Sequence, residues 1–316
     1  MALLEVNHLK KYFPVGAGMN HAVDDVTFKI EKGRTMGVVG ESGCGKSTLG
    51  RTIIRLQDAT DGQILLNGED ITFAKGKDLR RLREKMSIVF QDPYSSLNPR
   101  YCVDETIREP LKEARRFSRQ EIDLRAEELM DLVGIEDRLR MAYPHEMDGG
   151  RRQRVGIARA LALNPEFIMC DEPVSALDVS IQAQVLNLLM DLQEKMGLTY
   201  MFVTHDLSVV RHISDNIAVM YLGQCVELSP AKELFENPMH PYTQALLAAI
   251  PVPDLDHKMG EIIKGEVTSP IEPPKGCRFA NRCKYCTDAC RSCDMPLTEV
   301  TPGHFVMCRR CTEETK

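Results

Sequence analysis

The chain has 316 residues, of which 43% are hydrophobic, and this length is enough to bury one large core and a smaller appended unit. Its formal net charge of −6 gives no electrostatic reason to expect a nucleic-acid partner. No apolar run reaches about eighteen residues and no charged, apolar leader opens the chain, so we expect a cytoplasmic protein that neither spans a membrane nor is exported.

A glycine-rich turn between an apolar run and a helix start is the first segment with a chemical meaning. Residues 36–39 predict a strand, and residues 40–47 read Gly-Glu-Ser-Gly-Cys-Gly-Lys-Ser. Glycines at this spacing allow backbone N–H groups to close on a polyphosphate, while Lys46 can reach the β- and γ-phosphates and Ser47 can bind Mg²⁺. The turn therefore predicts a nucleoside triphosphate site. Its predicted ligands are Gly40, Ser42, Gly43, Cys44, Gly45, Lys46, Ser47 and Thr48.

A polar, helix-rich insertion separates the two parts of the chain that carry apolar strands, about residues 1–95 and 165–230. Within it, Ser118 and Glu121 have the spacing of a capping box, and the helix that they open is predicted to end near Gly134. This order places a helix-rich segment between two segments that carry the buried strands.

Two carboxylates follow the apolar run 167–170, which is long enough for a buried parallel strand. We expect Asp171 to hold Mg²⁺, directly or through water, and Glu172 to orient or deprotonate the attacking water. The predicted site would then hydrolyse the triphosphate as well as bind it.

An amphipathic helix and another apolar strand come next. The helix is predicted over residues 178–196, with Asp178 as its cap and Gly197 as its end. The strand 200–203 leads to His205, which is thereby placed at the edge of an α/β sheet where ligands bind. Together with the other motifs, this position indicates a contact to the γ-phosphate.

The C-terminal part changes character from about Leu246, where prolines interrupt any long helix. Seven of the 11 cysteines then lie between Cys277 and Cys311. In a cytosolic protein such a cluster favours metal over disulfides, and the pairs Cys283/Cys286 and Cys290/Cys293 would suit tetrahedral Zn²⁺. Reduced thiols without metal remain an alternative.

The segment 146–154, Glu-Met-Asp-Gly-Gly-Arg-Arg-Gln-Arg, resembles the signature of the ATP-binding-cassette ATPases, Leu-Ser-Gly-Gly-Gln followed by Arg/Gln-Gln-Arg. The resemblance covers about residues 5–230. It implies a Q-loop at Gln91, which serves Mg²⁺ and catalysis, a D-loop ending at Asp178, and a switch histidine at His205. It also implies that Tyr12 stacks on adenine, with its neighbour Phe13 as the alternative. The nucleotide-contacting signature residues would be Asp148, Gly149, Gly150 and Arg151.

Three further segments, 89–100, 171–178 and 237–243, resemble the ATPase subunits of bacterial oligopeptide and dipeptide importers. This resemblance implies uptake of peptides driven by MgATP, at the inner face of the membrane. The implied partners are two membrane permease subunits, a second and non-identical ATPase subunit, and an extracytoplasmic solute-binding protein. A nickel or other small-solute importer of the same family, and a weakly catalytic regulatory cassette with a metal-sensing C-terminal region, are the alternatives.

The implied fold is α/β, with a P-loop NTPase core, a parallel-rich sheet and a helical signature subdomain at about residues 96–164. The nucleotide-binding domain would span residues 1–250, and residues 251–316 would form a proline-rich linker and a small cysteine-rich region. In some peptide-importer ATPases a similar cysteine pattern holds a [4Fe–4S] cluster. The cluster ligands implied here are Cys277, Cys283, Cys290 and Cys308, with zinc as the alternative metal.

Two departures from the signature of the family matter for the mechanism: Asp148 stands for serine and Arg151 for glutamine. In these ATPases each signature completes the site on the phosphate loop of a partner subunit. A carboxylate there would face a phosphate of the same sign, and two unit charges about 4 Å apart repel by about 4 kcal/mol at an effective dielectric constant of 20. Either Arg151 offsets this repulsion and the pair is tolerated, or the two composite sites of the dimer are unequal.

A soluble cassette ATPase that works on ribosomes or DNA is a further alternative. Such proteins usually carry two cassettes in one chain or long coiled-coil insertions, and this chain has one cassette and no such insertion.

Overall fold

The computed structural model describes residues 1–16, 18–250 and 269–313, which form two compact units. The first unit consists of residues 1–73 and 202–316, and the second of residues 74–201. The proline-rich stretch 251–268 of the predicted linker lies outside the described residues.

Two sheets carry the strands. The strands are β1 (Ala2–Val15), β2 (Gly18–Glu31), β3 (Thr35–Val39), β4 (Asp61–Leu66), β5 (Glu69–Asp70), β6 (Met86–Val89), β7 (Phe167–Asp171), β8 (Thr199–Val203), β9 (Asn216–Tyr221), β10 (Gln224–Pro230), β11 (Thr298–Thr301) and β12 (His304–Val306).

The helices of the first unit are α1 (Lys46–Ile53), α8 (Leu207–Ile213), α9 (Ala231–Glu236), α10 (Pro241–Ala248), α11 (Asp288–Ser292) and α12 (Arg309–Glu313). The helices of the second unit are α2 (Gly76–Lys85), α3 (Pro93–Ser96), α4 (Val103–Ala114), α5 (Arg119–Leu132), α6 (Gly149–Leu161) and α7 (Val179–Met196).

The first unit contains an antiparallel sheet in the order β2-β1-β4-β5 and a second set of strands built around β3. All five residues of β3 are buried, as expected for a strand covered on both faces, and β3 pairs in parallel with β9. On the far side of β9, β10 pairs antiparallel with β9 and with β12. The described C-terminal residues therefore extend the same hydrogen-bonded set of strands that begins at β3.

In the second unit, β6 and β7 pair in parallel, from Met86 opposite Phe167 to Val89 opposite Cys170. Helices α4, α5 and α6 lie within the range expected for the helical subdomain. The predicted capping box is confirmed, because Ser118 Oγ accepts the Glu121 N–H at 3.3 Å and Glu121 accepts the Ser118 N–H at 2.7 Å.

Within the described ranges, no helix combines the length and the apolar character that crossing a membrane requires.

Candidate active site

The predicted phosphate loop connects β3 to α1 in the first unit. Two of its glycines are required by close packing. A Cβ atom at Gly45, where φ is +106°, would lie 2.0 Å from the carbonyl oxygen of Ala22, and one at Gly40 would lie 2.2 Å from that of Met220. Only glycine lets the loop pack this closely against β2 and β9.

Lys46 is the first residue of α1 and is 95% buried. Its ammonium group donates hydrogen bonds to the carbonyl oxygens of Gly40 at 2.8 Å and Glu41 at 2.9 Å, which fixes the charge against the loop. Ser47 and Thr48 follow in the first turn of the helix, where the N–H groups of a helix N-terminus and the helix dipole favour a bound anion. The arrangement suits a polyphosphate next to a Mg²⁺ ligand.

Three other residues of the loop differ in exposure. Ser42 and Gly43 face solvent, and Cys44 is buried. Burial raises the pKa of the Cys44 thiol, so this side chain is a packing group with an uncharged sulfur. Any contact of Cys44 with a nucleotide would therefore come from its backbone.

His205 lies beside the same end of β3. The N–H of Thr204 donates to the carbonyl oxygen of Val38 at 3.1 Å, which holds the residue before His205 to the strand that precedes the phosphate loop. Asp206 then caps α8 by accepting the Ser208 N–H at 2.8 Å. The imidazole of His205 is exposed, as a group that contacts a ligand must be.

Tyr12 lies on β1 and is held on two sides. Its hydroxyl donates to the carboxylate of Asp24, and its ring stacks on His21 with centroids 4.0 Å apart and an angle of 21°. Burial and the hydrogen bond to Asp24 raise the pKa of Tyr12. Phe13, the alternative stacking residue, instead has the ammonium group of Lys11 4.7 Å from its ring centroid.

In the second unit, Asp171 and Glu172 stand at the end of β7. Asp171 is fully buried, and Glu172 has φ of +47°, a conformation that costs a residue with a side chain about 1 to 3 kcal/mol. The amide of Gln91 donates to the carboxylate of Glu172 at 2.8 Å. The structure thus brings together two of the three predicted catalytic residues, Gln91 and Glu172. The backbone of Glu172 is strained at this position.

The signature departures occupy the start of α6. Asp148 is the N-cap of this helix, and its carboxylate accepts the Arg151 N–H at 2.8 Å. The Arg151 guanidinium in turn lies 3.3 Å from Asp148 and 3.6 Å from Glu136. Gly149 and Gly150 form the first turn; a Cβ at Gly150 would lie 2.6 Å from Ile181. Asp178, the predicted D-loop residue, is exposed at the N-cap of α7.

Four cysteines named as cluster ligands line one small pocket of the first unit, together with Cys286. These four are Cys277, Cys283, Cys290 and Cys308. Among the residues that the structure describes, no group of three or more Cys, His, Asp or Glu side chains has the arrangement of a metal site. The pocket therefore supplies the donor atoms that iron or zinc prefers but not, as it stands, their geometry.

Burial and the neighbouring thiols raise the pKa of Cys277 to about 11. A hydrogen bond from Cys311, together with the nearby backbone and charge of Arg310, lowers the pKa of Cys308. Cys293 is exposed, and the Sγ atom of Cys311 lies 3.3 Å from the carbonyl oxygen of Met239.

Arg278 and Arg282 were missed in the sequence. Both lie in the cysteine-rich region and bind carboxylates of the first unit, Asp24 and Glu41, that are 254 and 241 residues away along the chain. The two residues of each pair lie too far apart in the chain to form a sequence motif, so sequence analysis could not have predicted either pair.

Comparisons with known proteins agree with this geometry. A family model described as ABC transporter matches residues 23–175, and one described as Oligopeptide/dipeptide transporter, C-terminal region, matches residues 226–290. The oligopeptide transport ATP-binding protein AppF of Bacillus subtilis (strain 168) is 50% identical over 97% of this chain and 96% of its own length. The chain belongs to the family of oligopeptide ABC transporter ATP-binding proteins.

Other relatives place the chain in the same family. OppF of Salmonella typhimurium (strain LT2) is 48% identical over 97% of this chain and 95% of its own length. Among solved structures, cbiO1 from Clostridium perfringens, part of the ABC transporter complex cbiONQ, has a TM-score of 0.68 at 28% identity, covering 75% of this chain and 91% of its own. The dimeric cassette MJ0796 in a post-hydrolysis state, bound to ADP and phosphate, has a TM-score of 0.66 at 30% identity, covering 72% and 98%.

Membership in this family confirms the expected α/β cassette fold and ATPase activity with ATP and Mg²⁺. The same membership implies membrane permease partners and a peripheral place at the inner face of the membrane.

Proposed function

We propose that this chain is the ATP-hydrolysing subunit of an importer for oligopeptides or dipeptides. The observation that best supports hydrolysis is the hydrogen bond from Gln91 to Glu172 at the end of β7, where the backbone of Glu172 is strained. The peptide substrate is supported by the match of residues 226–290 to the family described as Oligopeptide/dipeptide transporter, C-terminal region, since this range lies outside the predicted phosphate loop, Q-loop, signature and D-loop. Two relatives about 50% identical over nearly the whole chain are named as oligopeptide transport proteins.

The predicted side chains divide the tasks of binding and hydrolysis in this proposal. Lys46 and the loop N–H groups neutralise the phosphates, and Ser47, Asp171 and Gln91 hold the Mg²⁺ that belongs to the substrate. Glu172 accepts a proton from the attacking water, while His205 contacts the γ-phosphate. Tyr12 stacks on the adenine. Asp178 and the signature residues contact nucleotide across the subunit interface.

The partners are two membrane permease subunits, a second and non-identical ATPase subunit, and an extracytoplasmic solute-binding protein. Head-to-tail pairing of two cassettes would complete each site with the signature of the other subunit, so that hydrolysis depends on closure of the pair. The solved cassette MJ0796 is described as a dimer, which supports this arrangement. Solute selectivity would lie in the other polypeptides.

The cysteine pocket is proposed to hold a [4Fe–4S] cluster on Cys277, Cys283, Cys290 and Cys308, with Zn²⁺ as the alternative. Support comes from the convergence of these thiols on one pocket and from the mutual electrostatic influence of Cys277, Cys283 and Cys290. Rearrangement of the side chains on metal binding would be required.

The function is tested with Glu172→Gln in the transporter reconstituted with its permease subunits in vesicles. The amide keeps the shape of the side chain but cannot accept a proton, so MgATP binding should persist while ATPase activity and peptide uptake fall by about 100-fold. Glu194→Gln is the matched control, because Glu194 is an exposed carboxylate of the same unit on α7. Full turnover by Glu172→Gln would refute its assignment as the base, and uptake without ATP would refute the coupling.

A further inference from the structure

Two buried arginines of the cysteine-rich region bind carboxylates at the nucleotide site. Arg282 binds Glu41, which immediately follows Gly40 in the phosphate loop. Its two terminal nitrogens donate to the two oxygens of Glu41 at 2.8 and 3.0 Å, a bidentate geometry that is stronger and more directional than a single bond. The Arg282 side chain is only 7% exposed, so water screens this pair weakly.

The Glu41 backbone is held as well. Its N–H donates to the hydroxyl of Tyr242 at 2.9 Å, and Arg282 also approaches the hydroxyl of Tyr221 at 3.4 Å. Since the Glu41 carbonyl accepts from Lys46, a shift of Glu41 would move a hydrogen-bond partner of the phosphate-binding ammonium group.

Arg278 binds at the adenine end of the site. Its guanidinium donates to the carboxylate of Asp24 and to the carbonyl oxygen of Leu222, and its side chain is 6% exposed. The same carboxylate accepts the hydroxyl of Tyr12, the proposed adenine-stacking residue. Burial of Asp24 opposes its charge, but hydrogen bonding from Tyr12 and the charge of Arg278 hold the pKa of Asp24 below its usual range.

The turn between β9 and β10 connects this group to the phosphate loop. Leu222 and Gly223 both have positive φ, +43° and +84°. The Gly223 N–H donates to the carbonyl oxygen of Cys44 at 2.8 Å, and its carbonyl accepts the Asp24 N–H at 2.8 Å. By binding Leu222 and Asp24, Arg278 secures a turn that contacts the phosphate loop on one side and the partner of Tyr12 on the other.

Phe279 fixes the segment that carries both arginines. It is 3% exposed and packs edge-on against Tyr221, with ring centroids 5.3 Å apart, and against Tyr242 at 5.4 Å. This aromatic packing holds the segment around Phe279 in place, so the guanidinium groups of Arg278 and Arg282 have little freedom to move.

We propose that Arg278 and Arg282 are positioning residues for MgATP. Arg278 fixes the ring of Tyr12 through Asp24, and Arg282 fixes the phosphate loop through Glu41. The cysteine-rich region is then a working part of the nucleotide site. The Arg278 half rests on the proposed function, because it takes Tyr12 as the adenine contact.

The test measures the dissociation constants of MgATP and of magnesium tripolyphosphate with the purified full chain, by calorimetry. Arg278→Ala should weaken MgATP binding about tenfold and tripolyphosphate binding less, because the adenine end is affected most. Arg282→Ala should weaken both probes about equally. Arg278→Lys should recover part of the affinity, since lysine keeps the charge but loses the planar fork.

Arg291→Ala is the matched control, because Arg291 lies in the same region and bonds to the exposed Asn281. Asp24→Asn, which keeps the shape of the partner, is measured beside Arg278→Ala in case the latter does not fold, and it should weaken MgATP to a similar extent. In the assembled ATPase, the losses should appear in KM with kcat within twofold.

Tyr12→Ala separates the two proposals. If it weakens MgATP while Arg278→Ala and Asp24→Asn bind like Arg291→Ala, the Arg278 half of the inference is overturned and the adenine contact stands. Normal binding by Tyr12→Ala removes both the adenine contact and the Arg278 half. Arg282→Ala binding tripolyphosphate like Arg291→Ala overturns the other half.

Discussion

The amide of Gln91 donates a hydrogen bond to the carboxylate of Glu172 at 2.8 Å, and the backbone of Glu172 adopts φ of +47°. Two features therefore orient the side chain of the proposed base: the hydrogen bond from Gln91 of the Q-loop and the backbone conformation of Glu172 itself. We propose that a Q-loop that moves with a permease subunit would carry this hydrogen bond with it and so link transport to hydrolysis.

Gln91→Ala should leave Glu172 without this hydrogen bond. We expect kcat of the assembled ATPase to fall about tenfold with KM for ATP changed less than twofold, because the lost hydrogen bond orients the base while Ser47 and Asp171 still hold the Mg²⁺ of the nucleotide. Gln184→Ala, an exposed glutamine on α7, is the control. An equal rise in KM without loss of kcat would show that Gln91 acts in binding instead.

We expect the folded protein to lose stability in mild acid because of the buried His240. It is buried at the N-cap of α10, where Nδ1 accepts the Tyr242 N–H at 3.1 Å, and burial lowers its pKa to about 4. As pH falls below about 6.5, His240 becomes protonated in the unfolded chain but stays neutral in the folded protein. The free energy of unfolding therefore decreases. Between pH 7 and pH 5 this histidine should remove about 2 kcal/mol, and the loss is complete below pH 4.

Urea unfolding of wild type and His240→Asn at pH 7, 6 and 5 checks this expectation. Asparagine keeps a capping side chain but cannot take up the proton, so the variant should be less stable at pH 7 yet show a shallower decline toward pH 5. His212→Asn, at an exposed position on α8, controls for the loss of a histidine. Identical pH slopes for His240→Asn and wild type would rule out His240 as the source.

Protein purified without oxygen should contain iron and sulfide at near-stoichiometric amounts if the cysteine pocket holds a cluster. Replacement of Cys308 by serine should remove most of the metal, whereas Cys293→Ser should not, because Cys293 is exposed and does not line the pocket. Zinc in place of iron would select the alternative metal. Elemental analysis that finds neither metal would leave the pocket as a cluster of reduced thiols.

Local motifs account for what the sequence could predict. The phosphate loop and the capping box of Ser118 and Glu121 depend on spacings within eight residues, and the structure follows both. The helix predicted over 178–196 is observed as Val179–Met196. Its buried residues are Val185, Leu186, Leu189 and Leu192, while Leu188 is only half-buried, since tertiary neighbours decide which side of a moderately apolar helix is covered.

Long-range contacts could not be predicted in the same way. Arg278 meets Asp24, and Glu227 at the centre of β10 meets His304 of β12 at 2.7 Å, with both members of the second pair fully buried. The first pair joins the cysteine-rich region to β2, and the second depends on the strand order, which places β12 next to β10. The sequence alone does not reveal which distant residue the fold will bring next to a charged side chain.

The start of α6 gives the sharpest prediction about coupling between subunits. Asp148 both caps the helix and carries a negative charge to the position where a partner's γ-phosphate is proposed to bind. Arg151 neutralises part of that charge at 3.3 Å, but it also pairs with Glu136, so the neutralisation is shared. We therefore expect the composite site that uses this signature to hydrolyse ATP more slowly than the site on this chain's own phosphate loop.

Restoring the family residues with Asp148→Ser and Arg151→Gln should raise ATPase activity at the partner's site about tenfold, which corresponds to relief of about 1.4 kcal/mol of repulsion. Serine and asparagine both cap helices well, so Asp148→Asn separates charge from capping, and Asp148→Ala should cost about 1 kcal/mol of stability through the lost cap alone. The measurement is made in the assembled complex, with the partner's catalytic glutamate intact or replaced by glutamine. The gain should disappear in the second background, because the partner's glutamate serves that site. If the restored protein gains nothing with the partner's glutamate intact, Asp148 is a tolerated substitution and the two sites are equal.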